Sequence, residues 1–131
     1  MKHLIQDIQK LAEQYHGEVI ALRRQIHSNP ELAFEEHETA ALVAAFLREQ
    51  GIDHATGIAK TGVVGVIKGR NPGSRVIALR ADMDALPILE KNKVDYKSRN
   101  DGKMHACGHD VHTSSLLGAA RILQTLRDRF E

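Results

Sequence analysis

Lys103-Met104-His105-Ala106-Cys107-Gly108-His109-Asp110-Val111-His112-Thr113-Ser114-Ser115 holds the only cysteine of the chain and three of its eight histidines. These are metal-ligand residue types. Cys107 and His109 flank a single glycine and can share one ion if the backbone turns there. Gly108 permits that turn because it lacks the Cβ that restricts φ. A helical apolar pattern begins directly afterwards, with Asp110 expected as its N-cap. The candidate ligands then sit at a helix mouth, where free backbone N–H groups favour anions. Zinc takes three or four protein ligands, and Cys-x-His supplies two. A buried free thiol with capping histidines is the competing reading of the same stretch.

Working outward, 131 residues make about one domain, and a 42% hydrophobic, 4% aromatic composition calls for an aliphatic core. Basic and acidic side chains nearly cancel, 18 against 17, which argues against a nucleic-acid module. One cysteine excludes an intrachain disulfide and fits a reducing compartment. No apolar run approaches a membrane span, and Met1-Lys2-His3-Leu4 opens no signal-peptide core. A soluble cytoplasmic protein with no membrane partner is the expectation.

Leu4, Ile8, Leu11, Tyr15, Val19, Leu22 and Ile26 recur every three or four residues, an amphipathic helical stripe that Gly17 either divides or weakens. Ser28-Asn29-Pro30 ends it, with His27 read as a C-terminal capping residue. A second helix is expected from about Glu36 to Gln50, with Gly51 as its C′ residue. His37 and His54 read as solvated surface positions. Thr61–Ile67 and Arg75–Arg80 read as β-strands paired in a hairpin across the turn cluster Gly69, Asn71, Pro72 and Gly73. Both are nearly continuous apolar runs, which predicts cover on both faces and an α/β layered domain.

The second run leads into Asp82-Met83-Asp84-Ala85-Leu86-Pro87. In an extended chain, residues two apart point to one side, and strand ends in α/β sheets are where ligand sites gather. A solvated strand exit closed by Pro87 is the plainer reading. Ile88–Met104 shows no periodicity and reads as a long loop, a feature often tied to function. The last helix is expected over about Val111–Leu126.

Four stretches together resemble one family: Leu22–Leu32, Thr61–Val64, Leu79–Pro87 and Met104–Asp110. Their order and spacing are similar to the N-terminal part of the M20 metallopeptidase-type amidohydrolases, in the branch that contains hippurate hydrolases and N-acyl-L-amino acid amidohydrolases. The resemblance implies an α/β fold, helices packed on a mixed sheet, of which residues 1–131 are an incomplete catalytic domain. It implies two divalent ions per complete site (zinc, manganese, nickel or cobalt) and hydrolysis of the amide bond of N-acyl amino acids. Cys107 and His109 would be metal ligands. Asp84, with Asp82 as contender, would be the catalytic aspartate, a carboxylate that fixes ligand geometry. A thiolate ligand suits zinc, whereas manganese prefers oxygen and nitrogen. Such proteins are roughly three times as long. Further on they carry a Glu-Glu pair that includes the general base, two more histidines, and a domain for dimerisation into a homodimer or larger assembly. The 131 residues alone are therefore expected to be inactive. Two other functions compete: a thiol hydrolase using Cys107 with His105 or His109, and a non-enzymatic remnant that binds a metal or a partner.

Overall fold

The aliphatic stripe at the start of the chain forms one helix. In the computed structural model, which describes residues 2–131, α1 spans Lys2–Ser28 without a break. Gly17 leaves it intact, with open space where a Cβ would stand. A mid-helix glycine costs only about 1 kcal/mol relative to alanine. The helix ends where Pro30 requires. Asn29 N–H donates to Ile26 O at 3.0 Å and Ser28 Oγ to Gln25 O at 3.0 Å, which closes the final turn.

Helix α2, His37–Glu49, is capped from a distance. Both carboxylate oxygens of Glu31 accept from its first turn, Oε1 from Glu38 N at 3.0 Å and Oε2 from Thr39 N at 2.8 Å. A negative charge there meets the positive end of the helix dipole. Gly51 follows the helix with φ +65° and donates to Arg48 O at 3.0 Å, in line with its expected place at C′.

The strand pairing differs from the sequence-based expectation. Strand β2, Gly62–Val66, pairs antiparallel with β1, Asp53–Ile58, and Arg75–Arg80 belongs to no strand. A short connection favours β1 as the partner of β2. Only residues 59–61 separate β1 from β2, and Ala59 and Lys60 take positive φ to turn the chain. The Lys68–Ser74 connection is longer and costs more to close. β1 leaves little trace in the sequence because Asp53-His54-Ala55-Thr56-Gly57-Ile58 has no apolar alternation, and a bulge lies between Ala55 and Ile58. Cover on both faces is not found either. Val63 and Ile67 turn toward the core while Val64 and Val66 stay exposed. Val76, Ile77 and Leu79 are 88%, 72% and 59% exposed.

Helix α3 spans His109–Thr125, followed by a short 3-10 helix at Arg127–Arg129. The core joins α2, the hairpin and α3 through Val43, Phe46, Leu47, Ile52 and Leu117. α1 lies along α3 at close range: a Cβ on Gly118 would stand 2.7 Å from Val19 Cγ2. The Asp82–Pro87 segment is stitched in on two sides. Ala85 N–H donates to Glu31 O at 2.7 Å, and Leu86 exchanges two 3.0 Å backbone bonds with Met104. These bonds hold the paired aspartates against the start of α3.

Gly118→Ala is expected to lower stability. Overpacking costs about 1–3 kcal/mol, which outweighs the gain in helix propensity of about 1 kcal/mol at most. Thermal unfolding followed by circular dichroism checks the sign.

Candidate metal centre

The turn before α3 forms as the glycine predicts. Gly108 has φ +87°, a left-handed conformation, and its carbonyl accepts the first helical bonds, from Val111 N and His112 N at 3.0 Å each. Gly108, not Asp110, occupies the N-cap position. Asp110 lies inside the first turn, buried, with its carboxylate aimed at α1. A glycine in the left-handed region ends the extended chain two residues earlier than an Asp110 cap would, so the helix starts at His109.

His109 is the hinge of the site. Its Nδ1 lies 2.9 Å from Asp84 O and 3.0 Å from Asp84 Oδ1. Both partners accept, so Nδ1 carries a proton, and in the neutral ring Nε2 keeps its lone pair. On that free side, Asp82 Oδ2 lies 3.9 Å from Nε2. The two aspartates therefore divide the ring between them: Asp84 holds its back and Asp82 faces its front. Thr113 Oγ1 fixes the Asp82 backbone by donating to its carbonyl at 2.8 Å. Arg80 forms an ion pair with the Asp82 carboxylate. The guanidinium is mostly exposed, so that pair is weak and displaceable.

His112 completes a group of three. One ligand atom each from Asp82, His109 and His112 lies within 4.8 Å of the other two. Two ligands of a single tetrahedral zinc stand about 3.4 Å apart, from bond lengths near 2.0–2.1 Å, and His112 is exposed and free to close the difference. The donor set, two imidazoles and a carboxylate, fits a divalent transition ion. His112 was not singled out from the sequence as a site residue. The signal was its spacing: three residues after His109 puts it on the same helix face. Cys107 is exposed and lies outside this group.

Behind the site lies a buried charge cluster that corrects the reading of His27 as a helix cap. The His27 ring is buried, with Nδ1 2.7 Å from Asp110 Oδ2 and Nε2 3.1 Å from Glu90 Oε1. Arg23 Nε approaches Asp110 Oδ2 at 2.9 Å, off the angle of a hydrogen bond, so the contact is ionic. Desolvation pushes the Glu90 carboxyl up. The Ser98 N–H, at 2.7 Å, with His27 and Asn92, outweighs it and holds the pKa below the ordinary range. His105 stands beside the cluster, 4% exposed, with neither ring nitrogen hydrogen-bonded among the described residues. Burial lowers its pKa. Asp110 opposes this and the neighbouring His27 adds to it.

Comparison with known proteins settles the family. The profile of "Peptidase family M20/M25/M40" matches residues 78–131. An N-acyl-L-amino acid amidohydrolase of Geobacillus stearothermophilus is 47% identical over 94% of this chain and 33% of its own length. A solved Bacillus subtilis structure, described as a dinuclear metal binding peptidase from the M20 family, superposes with a TM-score of 0.83. It is 46% identical, over 88% of this chain and 32% of its own. The chain belongs to the M20 peptidase family. A hippurate hydrolase of Campylobacter jejuni is similar to the M20 chain at 55% identity, over 82% of this chain and 28% of its own. The chain spans about a third of the length of the curated relatives it matches.

The Glu90 environment gives this M20 chain an acid-sensitive joint. Because the folded pKa is depressed, the stabilisation is fully present above the ordinary carboxylate value of 4.5. It is lost as pH falls through the lower folded value. Glu90→Gln is expected to flatten that acid limb in denaturant unfolding measured between neutral pH and about pH 3.

Proposed function

We propose that this M20 chain supplies part of the metal centre of an enzyme that hydrolyses the amide bond of N-acyl amino acids. The observation that carries this reading is the convergence of Asp82, His109 and His112 within 4.8 Å, with His109 oriented by Asp84. The names of its relatives, an N-acyl-L-amino acid amidohydrolase and a hippurate hydrolase, support the substrate class. The Bacillus subtilis protein described as binding two metals supports the cofactor.

When bound, divalent ions supply a Lewis acid for the scissile carbonyl and lower the pKa of water. The chain's own residues prepare for that chemistry. Asp84 accepts a hydrogen bond from His109 Nδ1–H, fixes the tautomer and makes Nε2 more basic. This is the role proposed for the catalytic aspartate, and it favours Asp84 over Asp82. Asp82 faces the other nitrogen and is proposed as a ligand. Cys107, one residue from the left-handed glycine, is proposed as a further ligand that swings inward when an ion is bound. Zinc, cobalt, nickel or manganese accept imidazole and carboxylate donors, whereas a Cys107 thiolate would favour zinc. On the family resemblance, the full-length protein works in the cytoplasm as a homodimer or larger assembly on small-molecule substrates. The thiol-hydrolase alternative has no comparable support, because no hydrogen bond joins Cys107 to a histidine among the described residues.

Elemental analysis of the purified chain is expected to find bound transition metal that His109→Ala removes. Cys107→Ala is expected to lower the metal content, and equal content in wild type and Cys107→Ala takes Cys107 out of the ligand set. The 131 residues alone are expected to leave N-acetyl amino acids intact. Metal-dependent turnover by the isolated chain overturns that part of the reading.

A further inference from the structure

His27 lies between two buried carboxylates, which constrains its chemistry. Asp110 Oδ2 and Glu90 Oε1 stand 2.7 Å and 3.1 Å from its two ring nitrogens. An ionised carboxylate only accepts hydrogen bonds. Both nitrogens must therefore donate when both carboxylates are charged, and the ring is an imidazolium. With Arg23 it balances the two negative charges. Tyr96 closes the cluster: its ring packs edge-on to His27 at 5.5 Å and lies under the Arg23 guanidinium at 5.0 Å.

The three groups come from three segments. His27 ends α1, Glu90 belongs to the irregular stretch after Pro87, and Asp110 sits in the first turn of α3, adjacent to His109. Their anchoring is unequal. Glu90 keeps two further donors, Ser98 N at 2.7 Å and Asn92 Nδ2 at 3.1 Å. Asp110 has only the ionic contact of Arg23 besides His27, and its Oδ1 has no partner among the described residues. Without His27, Arg23 alone is left to balance two buried carboxylates, and the less anchored one, Asp110, gives way. The helix turn that carries Asp110 also carries His109 and His112.

We propose that His27 is a positioning residue for the candidate metal centre. By gripping Asp110 it sets the rotation of the first turn of α3, and so the direction in which His109 and His112 point. The consequence for metal rests on the function proposed above, while the consequence for the helix turn does not.

The test uses the 131-residue chain with His27→Gln, His27→Ala and, as a control for general destabilisation, Gly118→Ala. The variants are compared under denaturant conditions that equalise global stability. Amide hydrogen exchange is read at His109–Thr113, and cobalt(II) affinity by the visible absorption of the bound ion. Both His27 variants are expected to speed exchange in that turn beyond the Gly118→Ala control and to weaken cobalt about 10-fold or more, the usual effect of removing a group that orients a ligand. His27→Gln, which keeps one amide donor group, is expected to fall between wild type and His27→Ala. If His27→Ala does not fold, the comparison of His27→Gln with Gly118→Ala decides. Exchange in the turn that only matches the control overturns the proposal. Unchanged cobalt affinity beside faster exchange also overturns it. Failure of the wild type to take cobalt defeats the metal reading alone, and the exchange comparison still decides the role of His27.

Discussion

Two carboxylates buried where three segments meet could not remain charged without a cation between them. The imidazole of His27 meets that demand, with Arg23 beside it. Buried ionic groups of this kind add little net stability compared with a well-packed apolar substitute, but breaking one partner away is costly. They therefore act as a registration device. The cluster ties the end of α1, the stretch around Glu90 and the first turn of α3 to one another. The apolar contacts of Val43, Phe46, Leu47, Ile52 and Leu117 hold α2, the hairpin and α3 together, but they are less directional. The charged cluster chooses the rotation, and the aliphatic core makes it worth adopting.

The site grows out of that registration. Asp84 reaches His109 because backbone bonds from Ala85 to Glu31 and from Leu86 to Met104 pin the segment on both sides. None of these pinning residues is a ligand. A carboxylate behind an imidazole works only if both are held to within a few tenths of an ångström, and here the holding is done by main-chain hydrogen bonds rather than by flexible side chains. Gly108 adds the last requirement. Its left-handed φ turns the chain so that the ring of His109 enters the site from the helix side.

The helices were legible in the sequence because burial on one face leaves a three-four spacing that tertiary context seldom overrides. Leu4 through Ile26 marked α1, and Ser28-Asn29-Pro30 marked its end. Gly51 marked the end of α2. The sheet was not legible. Arg75–Arg80 has the composition of a strand, but strand formation requires a partner edge, and composition cannot say which edge is available. β1 had the reverse problem, a partner without a strand-like pattern. At the site, the turn glycine could be read from the motif itself, while the link between the aspartates and His109 came only from the family resemblance. The burial of His27 could not, because its partners lie 63 and 83 residues away and nothing local distinguishes such a histidine from a helix cap. His112 was open to detection by its helical spacing from His109.

If Asp82, His109 and His112 hold the ion as proposed, two nitrogens and one carboxylate oxygen also decide which ions are turned away. Magnesium and calcium are bound through oxygen, magnesium in a tight octahedron that keeps much of its water and calcium in a looser shell of six to eight donors. Neither matches imidazole rings held on one helix face. Under the proposed ligand set, the lone pair that Asp84 leaves exposed on His109 is a filter that favours borderline cations over hard ones.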